Sequence, residues 1–213
     1  MTEDPRDTAA GVDDDDADAR HAAKMRKKKA ARDRMMADKS GEKGLLIVHT
    51  GPGKGKSSAA FGMVLRCLGH GMPVGVVQFI KGAMDTAERT VLERYPDLVT
   101  IRAMGEGFTW ETQDRARDVA AAERAWGLAA DMLADPKFAM VVLDELNVVL
   151  RYGYLSPDTV LEAIVARPPL QHVVVTGRNA GDAMIEAADL VTEMKLVKHP
   201  FRSGVKGQKG VEF

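Results

Sequence analysis

The chain has 213 residues, of which 45% are hydrophobic and 29% charged, with a formal net charge of -1. Such a chain supports one domain with a real core and an appended tail, and its balanced charge gives no general case for nucleic acid or membrane partners. No apolar run approaches the roughly 20 residues a membrane helix needs, the polar N-terminus does not read as a secretory signal, and the lone Cys67 excludes an intramolecular disulfide and suits a reducing cytoplasm.

Residues 1–43 differ from all that follows. Asp13 to Asp16 is an acidic block and Lys24 to Lys29 a basic one, with almost no aliphatic residues between them. This stretch cannot bury enough apolar surface to fold alone. Residues 17–39 nevertheless carry good helix formers, which predicts either a solvated tail or a helix that orders over an anionic ligand as a lid.

From Gly44 to the end, apolar runs alternate with helical patterns. Leu45 to Val48 reads as a buried strand, and residues 56–68 as a helix with Ala60, Val64 and Leu68 on one face. Further strands are expected at 74–80, 99–102, 139–143, 171–176 and 190–194, with the longest helix at 112–133. Continuous apolar strands separated by helices predict an α/β fold, a mostly parallel sheet of about six strands covered on both faces. Ligands of such sheets sit beyond the carboxyl ends of the strands, so the loops after Val48, Ile80, Arg102, Leu143 and Val175 matter most.

The first of these loops is Gly51-Pro52-Gly53-Lys54-Gly55-Lys56-Ser57-Ser58. Its glycines let backbone amides turn toward phosphate oxygens, and the following helix adds its positive N-terminus. Lys56 supplies a full charge, Lys54 a second one, and the Ser57 hydroxyl is placed for Mg²⁺. Thr50 occupies the position where the standard pattern has glycine, which marks a variant loop. A second motif ends the strand at 139–143, where Asp144 and Glu145 follow the apolar run. The first acid of such a pair holds Mg²⁺ directly or through water, and the second often activates a water in ATPases. Together the motifs predict a Mg-nucleotide site.

Three more segments bear on the chemistry. Met104 to Trp110 carries two aromatics, Phe108 and Trp110, in a glycine-rich loop; Thr176-Gly177-Arg178-Asn179 brings an arginine within reach of a triphosphate; Gly204 to Phe213 is a Gly/Lys-rich tail. With the Thr50 to Ser58 loop, these segments closely resemble the phosphate-loop corrinoid adenosyltransferases, over about residues 21–213. The resemblance implies a RecA-like P-loop fold, a homodimer, and an N-terminal helix that folds over the corrinoid. It implies transfer of the 5′-deoxyadenosyl group of ATP to Co(I) of cob(I)yrinic acid a,c-diamide or cobalamin, with triphosphate released and ATP bound in reversed orientation. It places Thr50, Gly51, Gly53, Lys54, Gly55, Lys56, Ser57, Ser58 and Arg178 on the nucleotide, with Lys54, Lys56 and Arg178 stabilising the leaving group. Ser57, Asp144 and Glu145 would attend Mg²⁺ or Mn²⁺, and Phe108 and Trp110 would wall off the lower face of the cobalt. A reduced flavoprotein is the implied electron donor. The rival readings are a RecA-like ATPase or small-molecule kinase, which Asp144-Glu145 suits, and a nucleotide-gated nucleic-acid-binding protein using Lys24 to Lys29.

Overall fold

The computed structural model describes residues 11–80, 87–104 and 114–211 of the chain. It divides into two compact units, residues 1–42 and 43–213. In the first, helix α1 runs Gly11–Ala37, with Arg20 paired to Asp16 one turn earlier at 3.0 Å. The helix formers of residues 17–37 thus lie within one continuous helix. Its sequence explains why: Ala, Met, Lys and Arg sacrifice little side-chain freedom in a helix.

Among the described residues of the second unit, six strands form one parallel sheet: β1 Leu46–Thr50, β2 Val74–Gln78, β3 Val99–Ala103, β4 Met140–Asp144, β5 His172–Thr176 and β6 Leu190–Glu193. Their order across the sheet is β3-β2-β4-β5-β1-β6. The strand that ends in the Gly/Lys loop and the strand that ends in the acid pair are thus separated by one strand, β5. Helices α2 Lys56–Gly69, α3 Ala87–Leu92, α4 Arg115–Ala134, α5 Leu146–Arg151, α6 Pro157–Ala166 and α7 Asp182–Ala187 make the crossovers, and a 3-10 turn, Pro200–Ser203, follows β6.

Successive strand residues face opposite sides of a sheet, and the core divides accordingly. Leu46 and Val48 of β1, Val141 and Leu143 of β4, and Val173 and Val175 of β5 pack with Ala125 and Leu133 of α4 and Ile164 of α6. Ile47, Val142 and Val174, the alternate residues, pack with Ala60, Phe61 and Val64 of α2 and Leu92 of α3. Both faces of the central strands are covered, which is why their sequences read as unbroken apolar runs. Cys67 lies in the α2 layer, where burial pushes its thiol up from the ordinary value. It is a packing residue.

Candidate nucleotide site at the carboxyl end of the sheet

The turn between β1 and α2 is built on two left-handed glycines, Gly51 at φ 94° and Gly55 at φ 101°. Gly55 caps α2 without a side-chain hydrogen bond, so the first-turn amides of that helix remain available to an anion. Lys56 is 6% exposed. Its ammonium donates to the carbonyls of Gly51 at 3.0 Å and Gly53 at 2.7 Å, folding the loop around the side chain. Burial pushes Lys56 below its ordinary pKa; the Glu145 carboxylate opposes this, Arg178 and Lys54 add to it, and Asp144 opposes it again. Five charged groups from three strand ends therefore share one field. An anion bound there would reverse the penalty on Lys56.

A strap crosses the outside of this loop. Gly53 donates its amide hydrogen to the Met194 carbonyl at 2.6 Å, and Met194 donates back to the Thr50 carbonyl at 2.9 Å. A Cβ on Gly53 would lie 2.6 Å from the Met194 oxygen and 2.8 Å from the Lys195 oxygen. The Gly53 amide is thus directed at the strap and not into the cradle. Its lack of a side chain answers a packing demand that the loop motif alone does not reveal.

Behind the loop, one register row of the sheet is polar. Gln78 pairs in register with Asp144, and His49 with Thr176. Asp144 is fully buried. Its carboxylate accepts from Thr176 Oγ1 at 2.7 Å and from Gln78 Nε2 at 3.1 Å, and Thr176 Oγ1 in turn accepts from the Glu145 amide at 2.9 Å. Glu145 itself is half-buried with φ 63°, a left-handed conformation that its side chain disfavours. The apolar row beneath, Val76, Val142, Val174 and Ile47, is part of the α2-side core. Sequence reading found Asp144 and Glu145 but assigned no part to Gln78 or Thr176. The available signal was a polar residue closing each apolar strand.

Arg178 leaves the end of β5 on the neighbouring loop and is exposed. Gly177, at φ 128°, presses on Asn147 of α5, whose Nδ2 donates to the Gly177 carbonyl at 3.3 Å. On the other side, the Ala180 amide donates to Thr50 Oγ1 at 3.0 Å. The structure thus brings Thr50, Gly51, Gly53, Lys54, Gly55, Lys56, Arg178, Asp144 and Glu145 to one end of the sheet.

Comparison with known proteins decides which phosphate-loop family this is. Residues 42–213 match the family model described as ATP:corrinoid adenosyltransferase BtuR/CobO/CobP. Residues 8–36 match a second, described as the N-terminal part of cob(I)alamin adenosyltransferase. The chain belongs to the ATP:corrinoid adenosyltransferase family. A corrinoid adenosyltransferase of Pseudomonas aeruginosa is 62% identical over 92% of this chain and 97% of its own length. One from a Sinorhizobium species is 59% identical over 92% of both chains. The corrinoid adenosyltransferase CobA of Salmonella typhimurium is 46% identical over 92% of this chain and its full length.

Ser57 is half-buried at the start of α2. Ser58 is exposed and lines a cavity of about 340 Å³ together with Phe61, Leu65, Val91, Gly210 and Val211. Phe108 and Trp110 lie outside the described residues. His49, on the α2 side of the sheet, is 6% exposed, and neither ring nitrogen has a hydrogen-bond partner among the described residues.

Proposed function

We propose that this chain transfers the 5′-deoxyadenosyl group of ATP to Co(I) of a corrinoid and releases intact triphosphate. The observation that carries the reading is the surroundings of Lys56: a buried ammonium held by the Gly51 and Gly53 carbonyls, with Lys54, Arg178, Glu145 and Asp144 all near enough to act on its charge. The family's name supplies the acceptor. In the proposed step the electron pair of Co(I) forms a bond to C5′, and the C5′–O bond breaks with its pair going to the triphosphate. A nucleophile already so electron-rich needs no general base. What needs help is a leaving group of about four negative charges, and preorganised cations provide that help. Lys54, Lys56, Arg178 and the open first turn of α2 are the groups that would grip it.

The residues also suit a hard divalent cation. The Asp144 carboxylate is buried and held by two donors, and the Ser57 hydroxyl begins α2; both offer oxygen, the donor type Mg²⁺ prefers. Bound there, Mg²⁺ or Mn²⁺ would supply further charge neutralisation at the phosphates, with Ser57 and Asp144 holding it and Glu145 in its water shell or on the ribose. Phe108 and Trp110 are proposed to exclude a lower axial ligand from the cobalt, which eases reduction of Co(II). A homodimer, a reduced flavoprotein donor and a cytoplasmic setting complete the proposal; residues 1–43 would act as the lid over the corrinoid and residues 44–213 as the catalytic domain.

An anaerobic assay with ATP, Mg²⁺ and chemically reduced corrinoid tests the reaction. The expected products are a light-sensitive carbon–cobalt compound and intact triphosphate, both abolished by Lys56→Ala. Steady release of inorganic phosphate without corrinoid would overturn the reading in favour of an ATPase.

A further inference from the structure

Thr50 departs from the usual phosphate-loop pattern, and the structure gives the departure a task. β1 and β5 are adjacent and parallel, with His49 in register with Thr176, so the phosphate loop and the Arg178 loop leave the sheet side by side. Nothing in a parallel ladder holds two such exits together once the strands end. Here the Thr50 hydroxyl spans the gap, accepting from the Ala180 amide at 3.0 Å. The same residue's carbonyl takes the Met194 amide, and Thr50 is 6% exposed. The far end of the Arg178 loop is fixed by Asn147, itself 1% exposed, whose Nδ2 donates to the Gly177 carbonyl at 3.3 Å. A Cβ on Gly177 would come within 2.9 Å of Asn147 Cβ, so the loop is seated closely against α5. Between these two pins stand only Arg178 and Asn179, the latter turning the chain at φ 57°.

We propose that Thr50 is a positioning residue: its hydroxyl ties the Gly177–Ala180 loop to the phosphate loop and thereby holds Arg178 over the triphosphate of ATP. The depression of the Lys56 pKa by Arg178 agrees with this placement of the guanidinium. A glycine at position 50 would reach nothing, and the half-buried Ala180 amide would lose its acceptor. The inference rests on the nucleotide-site reading above, so its test separates the two.

The variants are Thr50→Val, which keeps shape and loses the hydroxyl, Thr50→Ser, which keeps the hydroxyl, Arg178→Ala, and the Thr50→Val/Arg178→Ala double. Affinity for ATP is measured by calorimetry, with KM and kcat for adenosyl transfer alongside and thermal melting as a check on folding. Loss of one hydrogen bond that orients a charged group should weaken ATP about tenfold in Thr50→Val, and Thr50→Ser should recover to within about twofold of the parent. In the Arg178→Ala background the valine should add less than about twofold, since the two residues then act as one unit. A full tenfold loss in that background, or no loss in Thr50→Val alone, overturns the proposal. If Thr50→Val does not fold, Thr50→Ala replaces it with the same expectations. Parent protein and Lys56→Ala binding ATP equally well would instead sink the nucleotide-site reading; Lys56→Ala losing ATP while Thr50→Val keeps it sinks only this inference.

Discussion

Glu145 and His49 are two residues whose conformations or surroundings work against them. Glu145 holds φ 63° at the end of β4, which costs a side-chain-bearing residue about 1–2 kcal/mol. Asparagine adopts this conformation more readily. Glu145→Asn should therefore raise stability by up to about 1 kcal/mol in urea denaturation while lowering adenosyl transfer, because it removes the charge that most strongly favours the Lys56 ammonium. Stability that falls in this variant would mean the carboxylate is needed for folding. His49 is buried with both ring nitrogens unpaired among the described residues, and burial lowers its pKa from the ordinary value of 6.5. The unfolded chain takes up a proton as pH falls through that value while the folded chain stays neutral, so acid favours the unfolded form. Below the folded-state pKa both forms are protonated and the loss levels off. His49→Phe removes this dependence and a desolvated polar group, and should gain about 1 kcal/mol at neutral pH and more at pH 5.5. Urea midpoints at the two pH values check this; a destabilised variant at both would refute it.

The phosphate loop depends on an element that lies far from it in sequence. Gly53 and Gly62 make a matched pair. Alanine at Gly53 would drive its Cβ into the Met194–Lys195 strap, whereas alanine at Gly62, in the middle of α2, would meet nothing within 4 Å. Gly62→Ala should stabilise by about 0.5–1 kcal/mol through helix propensity. Gly53→Ala should destabilise by about 1–3 kcal/mol through overpacking and weaken ATP together with stability. Thermal melts of the two variants decide it, and equal effects would deny the strap its role. The contrast also marks what a sequence can carry. The strand at 46–50, the cradle glycines and the acids at 144–145 were legible because each is a local pattern: apolar run, left-handed turn, polar stop. The Gln78–Asp144–Thr176 row was not, because it exists only once β2, β4 and β5 are set in register. The same holds for the links from Thr50 to Ala180 and from Gly53 to Met194. Each joins residues more than a hundred positions apart, and no window of sequence contains both partners.

Both apolar layers of the sheet are drawn from residues within 43–213. Deleting residues 1–42 should therefore leave a cooperatively melting domain that keeps ATP affinity within about twofold, since that change is less than about 0.5 kcal/mol. Corrinoid adenosylation should fall in the same protein, because the segment matching the N-terminal family model is then missing. Loss of ATP binding on truncation would show that α1 belongs to the nucleotide site. The placement of the strap has a further consequence, in the order of events during synthesis. The loop at 51–58 emerges more than a hundred residues ahead of Met194, yet it is closed by β5 on one side and by Met194 on the other. A nascent chain released before residue 194 would carry every glycine and lysine of the motif and still have an open cradle. Chains grow from the N-terminus at about 5–20 residues per second, so affinity for nucleotide should arrive abruptly, only once Met194 has emerged to close the loop.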